Sequence, residues 1–351
     1  RRDPLGAAPA GRLLDEGVGV APPSENTQLE FLAYIQRLLD EGDFTASYKY
    51  ALLLALADLS VERGNDEGGP LTLRIRDIAG KFVRYYWRQA RPYVNGPARG
   101  ELIQNTNSQA HVISLVREAA ADYATNVEAP HDILHAEAPL VRKVAKTVEM
   151  MPLWKLQRLA GQLETRLYTH TGSREAIVLN PGIAFCFRRF HGLVTRLAQD
   201  AWIRFVRNRP ANQALIGEAV DLGSFLFGSE RANLNQYRPL LSELQDNTCF
   251  YCSKPLRISD VDHFIPWSRY PHDLGHNFVL ACKPCNHSKR GMLADRPHRE
   301  RWERRNKDHG SEMTVWYESR RLPHDLAGTK TVAEWAYAQA TMAGSRLWIA
   351  R

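Results

Sequence analysis

The chain has 351 residues, with 46 Lys+Arg against 39 Asp+Glu and a net charge of +7. A hydrophobic share of 44% and a charged share of 24% exclude a wholly disordered chain, a collagen-like chain and a disulfide-dense miniprotein. The length suggests two domains, and the basic balance leans towards an acidic partner such as nucleic acid.

Residues 1–25 carry Gly, Ala and Pro without periodicity and read as a flexible leader. The opening RRDPLGAAPAG has no apolar run after its arginines, so it does not resemble a secretory signal. Helical spacing begins after Ser24-Glu25-Asn26, with Leu29, Leu32, Ile35 and Leu38-Leu39 on one face. A second helix is expected over Tyr48–Val61. It is apolar on most sides and therefore central. Its ALLLALA run (51–57) is the longest strongly apolar stretch, far short of the roughly 20 residues a bilayer crossing needs. A membrane role is thus not expected, and a cytoplasmic location follows as the default.

Leu71–Ile75 reads as a short strand or a helix start, and Ile78–Trp87 as a helix. Further helices are expected at 101–125, 138–169, 187–208, 212–228 and 231–246, with a short strand at Ala176–Leu179 before the turn Asn180-Pro181-Gly182. Residues 26–246 thus form a mainly helical accessory or recognition domain. A boundary is expected at Asp246-Asn247-Thr248, where the composition changes. A small α+β domain at 247–310 and a helical C-terminal extension at 311–351 follow. The extension is expected to contain a helix over Val332–Met342, and a basic helix is expected at His298–Lys307. Whether the tail packs on the helical domain or covers the small domain is left open.

Four of the five cysteines form two CxxC pairs, Cys249/Cys252 and Cys282/Cys285; Cys186 stands apart. A CxxC turn directs two thiolates at one ion, and four thiolates fill a tetrahedral zinc with no open position. Such a zinc is structural and staples a module with too little core of its own. No thioredoxin-like pattern surrounds either pair, which argues against a redox role.

A second set of residues interleaves with the cysteines. The segment supplies CFYC (249–252), VDHFIP (261–266), HNFVLAC (276–282) and CKPCNHSK (282–289), in that order. Asn277 follows His263 by 14 residues and Asn286 follows it by 23. In order and spacing this segment resembles the HNH endonuclease superfamily in its zinc-stapled form. The resemblance covers residues 249–291, an eighth of the chain. It implies the ββα-metal nuclease fold, a β-hairpin followed by a helix with a divalent metal between them. It further implies Asp262 and Asn286 as oxygen ligands of Mg²⁺ or Mn²⁺. His263 is implied as the general base acting on water, and Asn277 as the residue holding its imidazole by a hydrogen bond. Taken singly, His263 is an ordinary core histidine, Asp262 a turn acid, Asn277 a strand residue and Asn286 a helix cap. Together, in order and inside the cysteine frame, they favour the HNH assignment. In place of the family's common Gly-Gly stands WSRYPHDLGHN (267–277), with Gly275 its only glycine. His287 is a further imidazole near the site, either assisting Asn286 or lying on a helix surface.

Twelve Lys and Arg against seven Asp and Glu place an excess of five of the chain's seven positive charges within residues 249–308. Lys289, Arg290, Arg301, Arg304 and Arg305 are the expected phosphate contacts. A second basic stretch, from Arg188 to Arg209, reads first as a packed amphipathic helix. The expectation is a metal-dependent HNH endonuclease acting on DNA in bacterial restriction or anti-phage defence. A homo-oligomer or a partner protein of the defence system would then supply double-strand cutting or control. The motif does not separate DNA from RNA. An RNA-cleaving nuclease and a non-catalytic zinc module that binds nucleic acid are the alternatives.

Overall fold

The computed structural model describes residues 20–106, 108–123, 129–169, 172–217, 221–228 and 234–350. Most of the leader expected at 1–25 lies outside the described residues. Residues 20–24 form neither helix nor strand, and the Val20 carbonyl accepts a hydrogen bond from the Gly68 amide at 2.8 Å.

The first helix is Glu25–Glu41, capped by the Ser24 hydroxyl on the Thr27 amide. It turns Phe31, Tyr34, Ile35 and Leu38 inward. The helix Tyr48–Arg63 is the axis of the molecule, and its residues from Tyr48 to Glu62 are all buried. That burial explains its lack of an apolar face: it is enclosed on all sides, so no stripe distinguishes inside from outside. The polar residues on it, Asp58 and Glu62 among them, must find partners inside the protein.

Leu71–Arg74 is a strand, as one of the two readings of that segment has it. It pairs antiparallel with Ala176–Leu179, Leu71 opposite Leu179, and Tyr168–Thr169 completes a three-stranded sheet. The helix expected at 138–169 ends much earlier. Pro139–Met150 and the short turn Pro152–Lys155 are helical, and two tiny strands, Arg158–Leu159 and Gln162–Leu163, follow. Ala160 and Gly161 both have positive φ, 47° and 81°, which is the backbone of a two-residue hairpin turn and ends any helix. The helix expected at 101–125 is confined to His111–Ala120 and a 3₁₀ turn to Tyr123. Helices Ile75–Gln89, Ile183–Arg189 and His191–Arg207 pack around the axial helix, Pro139–Met150 packs on Ile75–Gln89, and all form one continuous core with it.

The 249–291 segment follows. Strands Ser259–His263 and Phe278–Cys282 pair antiparallel, with Asp262 opposite Val279 and His263 opposite Phe278. The helix Lys283–Lys289 starts directly from the second strand. The preceding helix Arg238–Leu244 packs with this unit: Tyr237, Leu240 and Leu241 share a core with Phe278, Leu280 and Tyr317. Gln245 fixes it further, its side chain bonding both the amide and the carbonyl of Leu280 at 2.8 and 3.0 Å. The basic helix extends over Arg296–Ser319, longer than expected and continuous across the boundary expected at 310.

The C-terminal helix Leu326–Met342 does both things left open for the tail. Val332, Trp335, Ala336 and Tyr337 share a core with Cys249, Phe264 and Trp302, and that core reaches Val61 on the axial helix. Trp335 Nε1 donates to the Arg188 carbonyl at 2.8 Å, and the Tyr337 hydroxyl donates to the Ala294 carbonyl at 2.8 Å. Burying each such large side chain contributes roughly 1.5–3 kcal/mol, so this helix clamps the two units together. No helix among the described residues is long and apolar enough to cross a membrane.

Candidate active site and four-cysteine centre

The four cysteines meet because two tight turns face each other across the hairpin. The Cys249 amide bonds the Lys254 carbonyl and the Ser253 amide bonds the Cys249 carbonyl, both at 2.9 Å, closing the first CxxC turn. The second pair straddles the junction of the strand and the helix Lys283–Lys289. All four Sγ atoms lie within 4.8 Å of one another, none is in a disulfide, and Cys252 and Cys282 are 3.8 Å apart. A tetrahedron with Zn–S bonds of about 2.3 Å has edges of about 3.8 Å, so the donor set fits zinc. The Cys282 amide also donates to Cys249 Sγ at 3.3 Å, the kind of outer bond that orients a thiolate. Burial pushes the Cys249 thiol up. For the half-buried thiol of Cys252, burial also pulls upward, but the Lys254 amide and the neighbouring sulfurs outweigh it and hold the thiol down. Cys186 is buried elsewhere, its thiol pushed up to about 12 by burial, and is chemically quiet.

Asp262, His263, Asn286 and His287 line one open cleft of about 630 Å³ with Trp267 and Arg290. The local geometry follows from two periodicities. Asp260 and Asp262 are two apart on a strand and share a face; Asn286 and Lys289 are three apart on a helix and share another. The faces meet: Asn286 Nδ2 donates to Asp260 at 3.1 Å, and Lys289 Nζ lies 3.0 Å from Asp262 Oδ2. The Tyr251 hydroxyl donates to the same Asp262 oxygen at 2.6 Å. Burial, reinforced by the Asp262 carboxylate, raises the Tyr251 phenol well above its ordinary range, so it stays a donor.

His263 is buried between the edges of Trp267 and Phe278. Its Nε2 is 2.6 Å from Asp273 Oδ1. The carboxylate accepts the Nε2 proton, which leaves Nδ1 as the basic nitrogen. Asp273 lies in the segment that replaces the family's Gly-Gly, and no spacing rule singled it out. The backbone there is held by Gly275, where an added Cβ would come within 2.7 Å of the Tyr317 ring. The Tyr317 hydroxyl bonds the Gly275 carbonyl at 3.1 Å.

Three expectations are corrected by contacts. Asn277 does not bond the imidazole. Its side-chain oxygen accepts from the Ile265 amide at 2.8 Å and its nitrogen donates to the Ile265 carbonyl at 3.0 Å, so it staples the backbone beyond His263. Lys289 is fully buried against Asp262 and the His263 carbonyl, out of reach of a phosphate. Burial lowers its ammonium pKa, with Asp262 opposing. Arg305 is buried beneath the hairpin, donating to the carbonyls of His276 and Phe278 at 2.7 and 2.6 Å. Arg290, Arg301 and Arg304 are exposed, although Arg301 also donates to the Phe250 carbonyl at 2.7 Å. His287 is exposed on the rim of the cleft.

The residues next to Asp273 anchor the site to the axial helix. Asp58 bonds His191 Nε2 at 2.8 Å, His272 Nε2 at 2.7 Å and the Tyr85 hydroxyl at 2.7 Å. Glu62 bonds Lys81 Nζ and the Tyr270 hydroxyl, each at 2.6 Å. Burial alone would raise the Asp58 carboxyl, but the imidazoles of His272 and His191 outweigh it and hold the pKa well below the ordinary range. Sequence reasoning missed this network because its members are 214 residues apart at the extreme, and no local pattern joins them.

No curated protein and no solved structure shows a significant match to this chain. Residues 249–291 match the family model described as HNH endonuclease, and within them the four cysteines are positioned to form a zinc site.

Proposed function

We propose that this chain is a metal-dependent HNH endonuclease that hydrolyses phosphodiester bonds in DNA, in the setting of bacterial restriction or anti-phage defence. The observation that carries the reading is a histidine at the end of the first hairpin strand, facing a cleft with Asp262 and Asn286 and oriented from behind by Asp273. His263 takes a proton from the attacking water at Nδ1, and the Asp273 carboxylate steadies the imidazolium that results. Asp262 and Asn286 present the oxygens suited to Mg²⁺ or Mn²⁺, which when bound stabilises the charge growing on the phosphate. Tyr251 and Lys289 hold Asp262 in place, and Asn277 fixes the backbone that carries His263. Arg290, on the wall of the cleft, and Arg304, outside it, meet the phosphate backbone. The zinc centre holds the two ends of the hairpin unit together. On this reading the domain division runs near residue 237, ahead of the helix that packs on the hairpin.

The test is digestion of plasmid DNA, single-stranded DNA and RNA with Mg²⁺ and Mn²⁺, beside His263→Ala. DNA cleavage that disappears in the variant, with fold and zinc content retained, is the expected result. Full cleavage by His263→Ala, or cleavage of RNA alone, overturns the corresponding part of the reading.

A further inference from the structure

A second cavity, of about 260 Å³, lies between the helical unit and the 267–273 loop. That size is near the lower end, roughly 300 Å³, of small-molecule sites. Four arginines from three elements line it: Arg84 and Arg88 from the helix Ile75–Gln89, Arg196 from His191–Arg207, and Arg269 from the loop. Two carboxylates also line it: both oxygens of Asp58 are hydrogen-bonded, while Asp273 is engaged through Oδ1 and its Oδ2 has no hydrogen-bond partner. Arg269 Nε is buried there without a hydrogen-bond partner. Such a concentration of guanidinium groups favours an anion, and a planar guanidinium suits phosphate oxygens. Aromatic side chains, Phe227 and Trp267, line the same space. Trp267 and Ser268 also line the cleft that holds His263, so the two spaces share a wall.

We propose that this cavity binds one nucleotide, its phosphate among Arg84, Arg88, Arg196 and Arg269 and its base against Trp267 and Phe227. The ligand is either a free nucleotide or an unpaired nucleotide of the strand being cut. Only the second source rests on the endonuclease reading. Because the loop that walls the cavity carries Asp273, occupancy is felt at His263.

The test uses the zinc-loaded full chain carrying His263→Ala, without added Mg²⁺ or Mn²⁺, so that failure of the nuclease reading does not affect the result. In the first arm, the four common nucleoside 5′-monophosphates are titrated calorimetrically, with the matching nucleosides as phosphate-free controls. In the second, anisotropy compares duplex DNA carrying one unpaired nucleotide of each type with fully paired duplex. The expected result is saturable binding in one arm. It should weaken about tenfold or more in Arg84→Ala/Arg196→Ala, the loss expected when charge-assisted hydrogen bonds to phosphate are removed. The arm in which this occurs identifies the source. Arg196→Glu, at an exposed position, serves in place of the double variant if that variant fails to fold. Absence of binding in both arms, or binding that these substitutions leave unchanged, overturns the proposal.

Discussion

Asp273 Oδ1 lies 2.6 Å from His263 Nε2, and its second oxygen, Oδ2, is buried with no partner. The pair is buried, with 6% and 2% of the two side chains exposed, so water does not compete for the bond. Asp273 does not line the cleft with His263, so under the proposed reaction it acts only through the imidazole, as a positioning residue.

Asp273→Asn should therefore lower kcat for DNA cleavage by about 10²–10⁴-fold, the range of a general-base contribution. DNA affinity, zinc content and thermal midpoint should hold. Steady-state kinetics beside equilibrium binding make the measurement. A loss that falls on affinity with kcat unchanged would show that Asp273 does not orient the base.

Lys289 and Arg290 are adjacent in sequence and opposite in fate, and a salt titration separates them. Arg290→Ala should reduce the dependence of DNA binding on salt by about one counterion. Lys289→Met should leave that slope unchanged and lower stability by about 3 kcal/mol, because it strands Asp262 without its buried cation. Binding isotherms at several salt concentrations and urea unfolding of each variant give the two numbers.

The cysteine centre is expected to carry the hairpin unit. Cys285→Ala should abolish stoichiometric zinc and lower stability by about 3 kcal/mol or more, since the metal's binding energy is also folding energy. The core that Cys249 shares with Trp302 and Trp335 joins this unit to the C-terminal helix. Loosening should therefore reach that helix, and faster amide exchange over 326–342 would report it.

Acid should destabilise the protein through buried imidazoles. His276 is fully buried beside Gly310, and burial lowers its pKa to about 4; burial likewise lowers His272, against the pull of Asp58. In the unfolded chain both titrate near 6.5. A folded pKa below the unfolded one means that the unfolded state binds more protons between the two values, so stability falls as pH drops from about 6.5 towards 4. For His276 alone the loss is up to about 3 kcal/mol. The depressed Asp58 carboxyl adds a further loss below about pH 4. Denaturant midpoints across that range, with His276→Gln showing a shallower decline, check the sign and the residue.

The candidate site was legible in part. Asp262, His263 and Asn286 were identifiable because a strand, a hairpin return and a helix within 43 residues bring them together by local periodicity. The cysteines were identifiable for the same reason. The partner of His263 was not, because the segment from Trp267 to Gly275 has no regular repeat and takes its course from Asp58, Glu62 and Tyr317. The long helix expected at 138–169 failed for a related reason: Ala160 sits at a positive φ that only the pairing of Arg158 with Leu163 explains.

By itself, the sequence determined the chemistry that is present: four thiolates in two tight turns, and an acid, a histidine and an amide at fixed spacing. Spacing suffices for this because short-range backbone geometry positions these groups. Only the tertiary structure decided which polar groups are spent on one another. Lys289 and Arg305 are turned inward, Asn277 holds backbone, and Asp273 holds His263, because burial forces each of these groups to find a partner and long-range packing determines which partners lie within reach.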